Sequence, residues 1–225
     1  MRSKLSIAID GPAGSGKSTV ARRVAEILGI LYLDTGAMYR AVTLKALQDG
    51  IYLDDHEKLT ALANQVELKF KKMSDGAYQL FMDGKNINEE IRSFVVTENV
   101  SQVAAVSGVR EALVQRQKQI GAESGVVMDG RDIGTVVLPH ADLKIFLTAS
   151  LEERAQRRWL ELKAKGINVS KEKISEDLKQ RDAFDSNREI SPLRPADDSI
   201  TIDTTGMSIE QVTEKIVNLS KHNQN

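Results

Sequence analysis

Eight residues near the start, Gly11-Pro12-Ala13-Gly14-Ser15-Gly16-Lys17-Ser18, fit the pattern G-x-x-x-x-G-K-[ST] in full. Each residue type has a task in holding a phosphate chain. Gly11, Gly14 and Gly16 let the backbone curl until successive N–H groups face one anion. A helix opening at Lys17 adds its positive end. The Lys17 ammonium reaches the β- and γ-phosphates. The Ser18 hydroxyl is placed to ligate Mg²⁺, a hard ion that prefers oxygen. Pro12, Ala13, Ser15 and Thr19 complete the set expected to contact a nucleotide. A glycine-rich turn that binds nothing is the alternative; a strand pattern before the loop and a helix pattern after it argue for the nucleotide.

Four further segments bring polar groups to strand ends or neighbouring helices, where open α/β sheets bind ligands. Leu33-Asp34-Thr35-Gly36-Ala37-Met38-Tyr39-Arg40 contains Asp-Thr-Gly, the short signature of aspartic proteases. Such proteases need two carboxylates sharing a proton, and the near-copy Asp203-Thr204-Thr205-Gly206 is spelled differently. The other reading is a cradle: Asp34 organises the loop, Thr35 caps the next helix, and Arg40, beside Tyr39, pairs an incoming phosphate. Asp129 ends the strand Val126-Val127-Met128, the place of a carboxylate near Mg²⁺, with Arg131 and Asp132 in the loop beyond. Arg181, Asp185 and Arg188 share one helix face at i, i+4 and i+7. Arg154, Arg157 and Arg158 share another at i, i+3 and i+4. By spacing alone both ladders read as solvated faces, which contribute little; the functional reading is basic groups on a lid over a triphosphate.

The elements that must position these residues alternate. Leu5–Ile9 reads as a buried strand, Lys17–Leu28 as a helix stopped by Gly29, Ile30–Leu33 as a strand, and Gly36–Gln48 as a helix. Later strands are expected at Val126–Met128, Leu143–Leu147 and Ser199–Ile202, giving about five parallel strands covered by helices. From Asn64 to Ile87 the pattern switches to alternation broken by Ser-Asp-Gly and Asp-Gly, a small antiparallel hairpin or meander. Helices follow at Thr97–Ala105, Val109–Ile120, Leu151–Gly166, Lys171–Arg188 and Ile209–Leu219, with a tail from Ser220 expected to fray.

Composition narrows the class. The 225 residues carry 31 Lys+Arg and 32 Asp+Glu, a net charge of -1, so the basic excess of a general nucleic-acid binder is missing. The absence of cysteine excludes disulfides, thiol catalysis and thiolate metal sites and agrees with a reducing compartment. No apolar run approaches the ~20 residues of a membrane span, and the apolar run after the basic tip is too short for a signal peptide. The expectation is a cytoplasmic monomer with no nucleic-acid or membrane partner.

A GTPase would need N-K-x-D after a strand, and none is present. Asp203-Thr204-Thr205-Gly206 matches D-x-x-G but follows the last strand, where an edge strand and a helix cap explain it. A motor or transport ATPase would need more chain. A small phosphotransferase remains, with a nucleotide sensor and a kinase of a small metabolite such as shikimate as rivals.

Taken in order, Ile9–Thr19, Leu33–Ala41, Ser101–Leu113, Asp129–Pro139, Lys144–Ser150, Glu152–Arg158 and Arg181–Arg188 resemble bacterial cytidylate kinases of the nucleoside monophosphate kinase group. The likeness runs from about Leu5 to Leu219; "DTGAMYR" and "DGRDIGTVV" are its most specific parts. It implies an α/β, three-layer phosphate-loop fold with a central parallel sheet. The core would be residues 1–62, 104–150 and 189–225. A nucleoside-monophosphate-binding insert with a small antiparallel sheet would span about 63–103, and a helical lid about 151–188. It implies phosphorylation of CMP and dCMP by ATP with Mg²⁺, in pyrimidine nucleotide metabolism. Ser101, Arg110 and Asp132 are similar to the family's cytosine contacts, and Arg188 would also face CMP. Thr35, Arg40 and Arg131 would hold its phosphate, with Tyr39 beside them. Arg181 and Asp185 would lie at the sugar and phosphates. Lys17, Arg131 and Arg181 would serve transfer, Arg157 and Arg158 would approach ATP, and Ser18 and Asp129 would hold the metal. The chemistry suits cytosine: Asp132 can accept from the N4 amine and Arg110 can donate to O2 and N3, whereas the 4-carbonyl of uracil would repel the carboxylate.

Overall fold

The structure is a computed structural model and describes residues 5–74, 76 and 78–222. The basic tip, positions Asp75 and Ala77 of the expected hairpin, and the last three residues of the tail lie outside the described residues. In chain order the elements are β1 (Ser6–Asp10), α1 (Lys17–Leu28), β2 (Leu31–Asp34), α2 (Thr35–Gln48), α3 (His56–Gln65), β3 (Leu68–Lys72), β4 (Tyr78–Met82), β5 (Lys85–Asn86), α4 (Phe94–Val103), α5 (Ser107–Glu123), β6 (Val126–Gly130), β7 (Leu143–Thr148), α6 (Leu151–Ala164), α7 (Lys171–Asn187), β8 (Ile200–Asp203) and α8 (Ile209–His222). The chain divides into two compact units, Met1–Tyr32 with Ser124–Asn225, and Leu33–Glu123. Among the described residues no helix is long and apolar enough to cross a membrane.

The first unit is built on a five-stranded sheet of order β2-β6-β1-β7-β8. β1 pairs in parallel with β6 on one side and β7 on the other, and β7 with β8. Ile7, Ala8 and Ile9 are fully buried, as a central strand covered on both faces requires. The connection from β1 leads to one side of the sheet and that from β6 to the other. The carboxyl end of β1 is therefore a switch point, where such sheets bind ligands. α1 packs Val20, Ala21, Val24 and Ala25 inward and ends where Gly29 turns left-handed, its N–H returning to Ala25 and Glu26 carbonyls. α8 opens on a reciprocal cap: the Ser208 hydroxyl accepts from Gln211 N–H, and the Gln211 side chain accepts from Ser208 N–H. It runs through His222, past the expected fraying point, because Val212, Ile216 and Val217 bury its inner face and Ser220 is buried at its end.

The second unit gathers α2, α3, α4 and α5 over a three-stranded antiparallel sheet, order β3-β4-β5. Its core includes Met38, Leu59, Leu80, Ile91 and Leu113. Each such side chain buried contributes roughly 1.5–3 kcal/mol. α3 was not expected. Its signal is visible afterwards: Leu59, Leu62 and Ala63 recur at helical spacing behind Asp55, whose carboxylate caps Lys58 N–H. α2 starts at Thr35, one residue earlier than expected, and its cap is Asp34, not Thr35.

Candidate functional site

The phosphate loop lies between β1 and α1, and its glycines have the conformations that loop needs: φ is 149° at Gly11, 77° at Gly14 and 89° at Gly16. Gly11 is also forced by space, since a Cβ there would lie 2.0 Å from the Leu147 carbonyl oxygen on β7. Ser15 is buried at the floor of the loop with its hydroxyl unpartnered.

Lys17 is buried, and its ammonium donates to the Pro12 carbonyl at 2.9 Å. Burial lowers it to about 7, the Arg131 and Arg181 guanidiniums push the same way, and Asp129 and Asp10 oppose them. A lysine surrounded by two other cations is a destination for several negative charges at once. Ser18 donates to Asp129 Oδ2 at 2.7 Å and Tyr32 donates to Oδ1 at 2.9 Å. A hydroxyl and a carboxylate so placed are the hard oxygen donors that suit Mg²⁺, which keeps several waters and needs few protein ligands. Among the described residues no cluster of three His, Cys, Asp or Glu could hold a metal. Asp129 stands at the carboxyl end of its strand as expected, with β6 running one residue further, to Gly130.

Beyond β6, Arg131 donates to Asp185 on α7 at 2.8 Å. Burial drives the Asp185 carboxyl up, but Arg131, Arg181 and Arg188 outweigh it and hold the group below the ordinary carboxylate range. The ladder on α7 is thus no solvated face. Arg188 stands just past the end of α7 instead of on it, donates to the Ser191 carbonyl at 2.9 Å and lies 4.0 Å from Asp185. Asp132 is buried and leads into a π-helical turn, Ile133–Val137, which sequence periodicity did not anticipate.

The arginines of α6 divide. Arg154 is buried, donating to Asp182 at 2.6 Å and to the Ala13 and Ala149 carbonyls. Arg157 donates to Thr204 carbonyl at 2.7 Å, to Thr204 Oγ1 at 3.0 Å and to the Ser15 carbonyl at 3.4 Å. Arg158 turns away to Glu161 at 2.7 Å. Trp159 lies between Lys163, 4.7 Å from its ring, and Lys171, 4.8 Å, which joins α6 to α7. Thr204, in the D-x-x-G segment, also donates to the Thr148 and Ser15 carbonyls, so this loop is fastened to the phosphate loop.

In the second unit Asp34 is an organiser, as expected. It accepts from Ala37 N–H at 2.8 Å and from Arg40 at 2.9 Å. Gly36 makes room for this pair, since a Cβ there would meet the Arg40 guanidinium at 3.2 Å. Arg92, which no motif or spacing singles out, lies 3.6 Å from the same carboxylate. Two guanidiniums thus converge at the start of α2, where Thr35 occupies its first turn. Arg110 is buried, donates to the Ala104 carbonyl at 3.1 Å and lies 5.3 Å over the Tyr39 ring. Ser101 is half-buried on α4.

Fold and loop together define a phosphate-loop nucleotide-binding protein. A solved gluconokinase from Sinorhizobium meliloti shares the fold, with a TM-score of 0.50 and 13% identity over 99% of this chain and 94% of that one. The family is narrower: a cytidylate kinase sequence profile matches residues 7–222, and the chain belongs to that family. It is 53% identical over 215 residues to a cytidylate kinase of Alkaliphilus oremlandii, covering 96% of this chain and 97% of the relative. It is 57% identical over 215 residues to a bifunctional pantoate ligase/cytidylate kinase of Synechococcus, of which it covers 40%.

Proposed function

We propose that this chain transfers the γ-phosphoryl group of ATP to CMP and dCMP, giving ADP with CDP or dCDP, in pyrimidine nucleotide metabolism. The observation that carries the proposal is the gathering of Lys17, Arg131 and Arg181 at the end of the phosphate loop. In this reading the acceptor phosphate oxygen attacks the γ-phosphorus in line. That oxygen is already anionic near neutral pH, so no side chain need remove a proton. Catalysis is positioning and charge stabilisation. Lys17 bridges the β- and γ-phosphates, Arg131 and Arg181 stabilise the transferring group, and Arg157 lies along the phosphate loop. Ser18 and Asp129 would hold Mg²⁺, which supplies charge neutralisation at the phosphate oxygens when bound.

On the acceptor, Thr35 and Arg40 hold the phosphate, and Arg92 is a further cation for it. Ser101, Arg110, Asp132 and Arg188 read cytosine, and Asp185 orders Arg131 and the sugar. The same reading makes the enzyme a cytoplasmic monomer with small-molecule partners only. ADP release, coupled to a spectroscopic readout, tests it with CMP, dCMP, UMP, AMP and shikimate. CMP and dCMP should accelerate release strongly and the others weakly. No acceleration by CMP or dCMP would overturn it.

A further inference from the structure

Asp10 ends β1 and immediately precedes the phosphate loop. Its carboxylate is buried, and both oxygens are engaged: Oδ1 accepts from Ile133 N–H and Oδ2 from Gly134 N–H, each at 2.8 Å. These are the two residues that follow Arg131 and Asp132. From the other side, the Asp132 carbonyl accepts from Val136 N–H at 2.9 Å and Val137 N–H at 3.3 Å, the wide closure of the π-helical turn. Asp10 is also the register partner of Gly130, so the chain is held just before Arg131 as well. The backbone that presents Arg131 and Asp132 is thereby fixed on three sides.

A carboxylate is the side chain this arrangement needs. Two successive N–H groups point at it, and only Asp or Glu offers two acceptor oxygens in one plane. Asparagine supplies one acceptor and turns an N–H against the second amide. A buried charge without such a task would be costly. We propose that Asp10 is a positioning residue for the acceptor: it sets the loop carrying Arg131 and Asp132, and through it the preference for cytosine. The proposal rests on the reading of Asp132 as the base-reading carboxylate and Arg131 as a phosphate donor. It places one residue at the joint between the loop for the donor nucleotide and the loop for the acceptor, with small displacements mattering because such groups act within about 0.5 Å of their productive geometry.

Asp10→Asn tests it by steady-state kinetics with ATP, CMP and UMP, alongside thermal unfolding. The expected result is a rise in KM for CMP of about tenfold, the scale of one buried amide left unsatisfied. KM for ATP should rise by less, through the lost support of Asp10 for the Lys17 ammonium, and the preference for CMP over UMP should shrink. Equal rises in both KM values, or an unchanged CMP-to-UMP preference, would overturn the assignment. A second measurement needs no variant: amide hydrogen exchange at Ile133 and Gly134 in the native protein without nucleotide. Slow exchange is expected, and rapid exchange would remove the clamp whatever the kinetics show. If the native protein failed to phosphorylate CMP, the proposed function would fall, and the exchange result would still decide whether Asp10 holds the loop.

Discussion

Lys17 carries two unlike demands. It must be charged to meet phosphates, yet burial and the neighbouring Arg131 and Arg181 lower its pKa to about 7 in the free protein. A triphosphate reverses the balance by favouring the ammonium. At pH 8, above that value, ATP binding should therefore take up most of a proton. Calorimetry in buffers of different ionisation enthalpy measures this, and Lys17→Met should abolish the buffer dependence. A buffer-independent heat in the native protein would contradict it. In turnover, Lys17→Ala should lower kcat by at least ~100-fold, the scale for losing one oriented donor; near-native turnover would remove Lys17 from the chemistry. Asp132→Ala should weaken CMP much more than ATP, whereas equal losses would make Asp132 structural. The phosphate loop was legible because its spacing is rigid and local. Asp10 and Arg92 were not, since what distinguishes them is a partner far along the chain: Gly134 is 124 positions from Asp10, and Arg92 meets Asp34.

At the scale of elements, α6 is fastened to the phosphate loop by a buried arginine. Arg154 joins Asp182 on α7 to the Ala13 carbonyl, and Ala155, Ile174 and Leu178 fill the seam between the helices. Arg154→Leu would leave Asp182, partly buried, without its cation. The expected loss is about 2 kcal/mol, below the range for fully buried pairs because Asp182 keeps some solvent contact. In a protein of this size that lowers Tm by roughly 4–8 °C. Adding Asp182→Leu should restore part of it, and a double variant no more stable than the single one would show that the pair is not what holds the seam. Spacing identified both ladders of arginines without telling which member turns inward. Arg154 and Arg158 are four residues apart, yet one is buried and the other pairs with Glu161 at the surface. Packing of α7 against α6 makes that distinction, and no local pattern contains it.

For the whole molecule, the order of strands and helices was readable because each hydrophobic run keeps its own period. The expected parallel strands all formed, with shifts of a residue or two at their ends. The division into two units was not readable. It falls between Glu123 and Ser124 and between Tyr32 and Leu33, the latter inside β2, where the run Ile30-Leu31-Tyr32-Leu33 shows no change of composition. Such a boundary is a property of long-range contacts, while sequence patterns are local. Among the described residues the large apolar side chains left exposed are spread over the surface, among them Ile27 on α1 and Leu160 on α6, with Phe94 and Val95 on α4 adjacent in the chain. Sedimentation at micromolar concentration should accordingly give a single chain, and a stable dimer would refute that. Trp159 has a use beyond the clasp it makes. It is the only tryptophan in the 225 residues, and its indole senses an ammonium from each of two helices. The protein therefore comes with its own single-site optical probe: emission excited at the red edge of the indole band, beyond the absorption of its four tyrosines, reports the α6–α7 seam, and stopped flow in the unlabelled enzyme would time any change there on nucleotide binding.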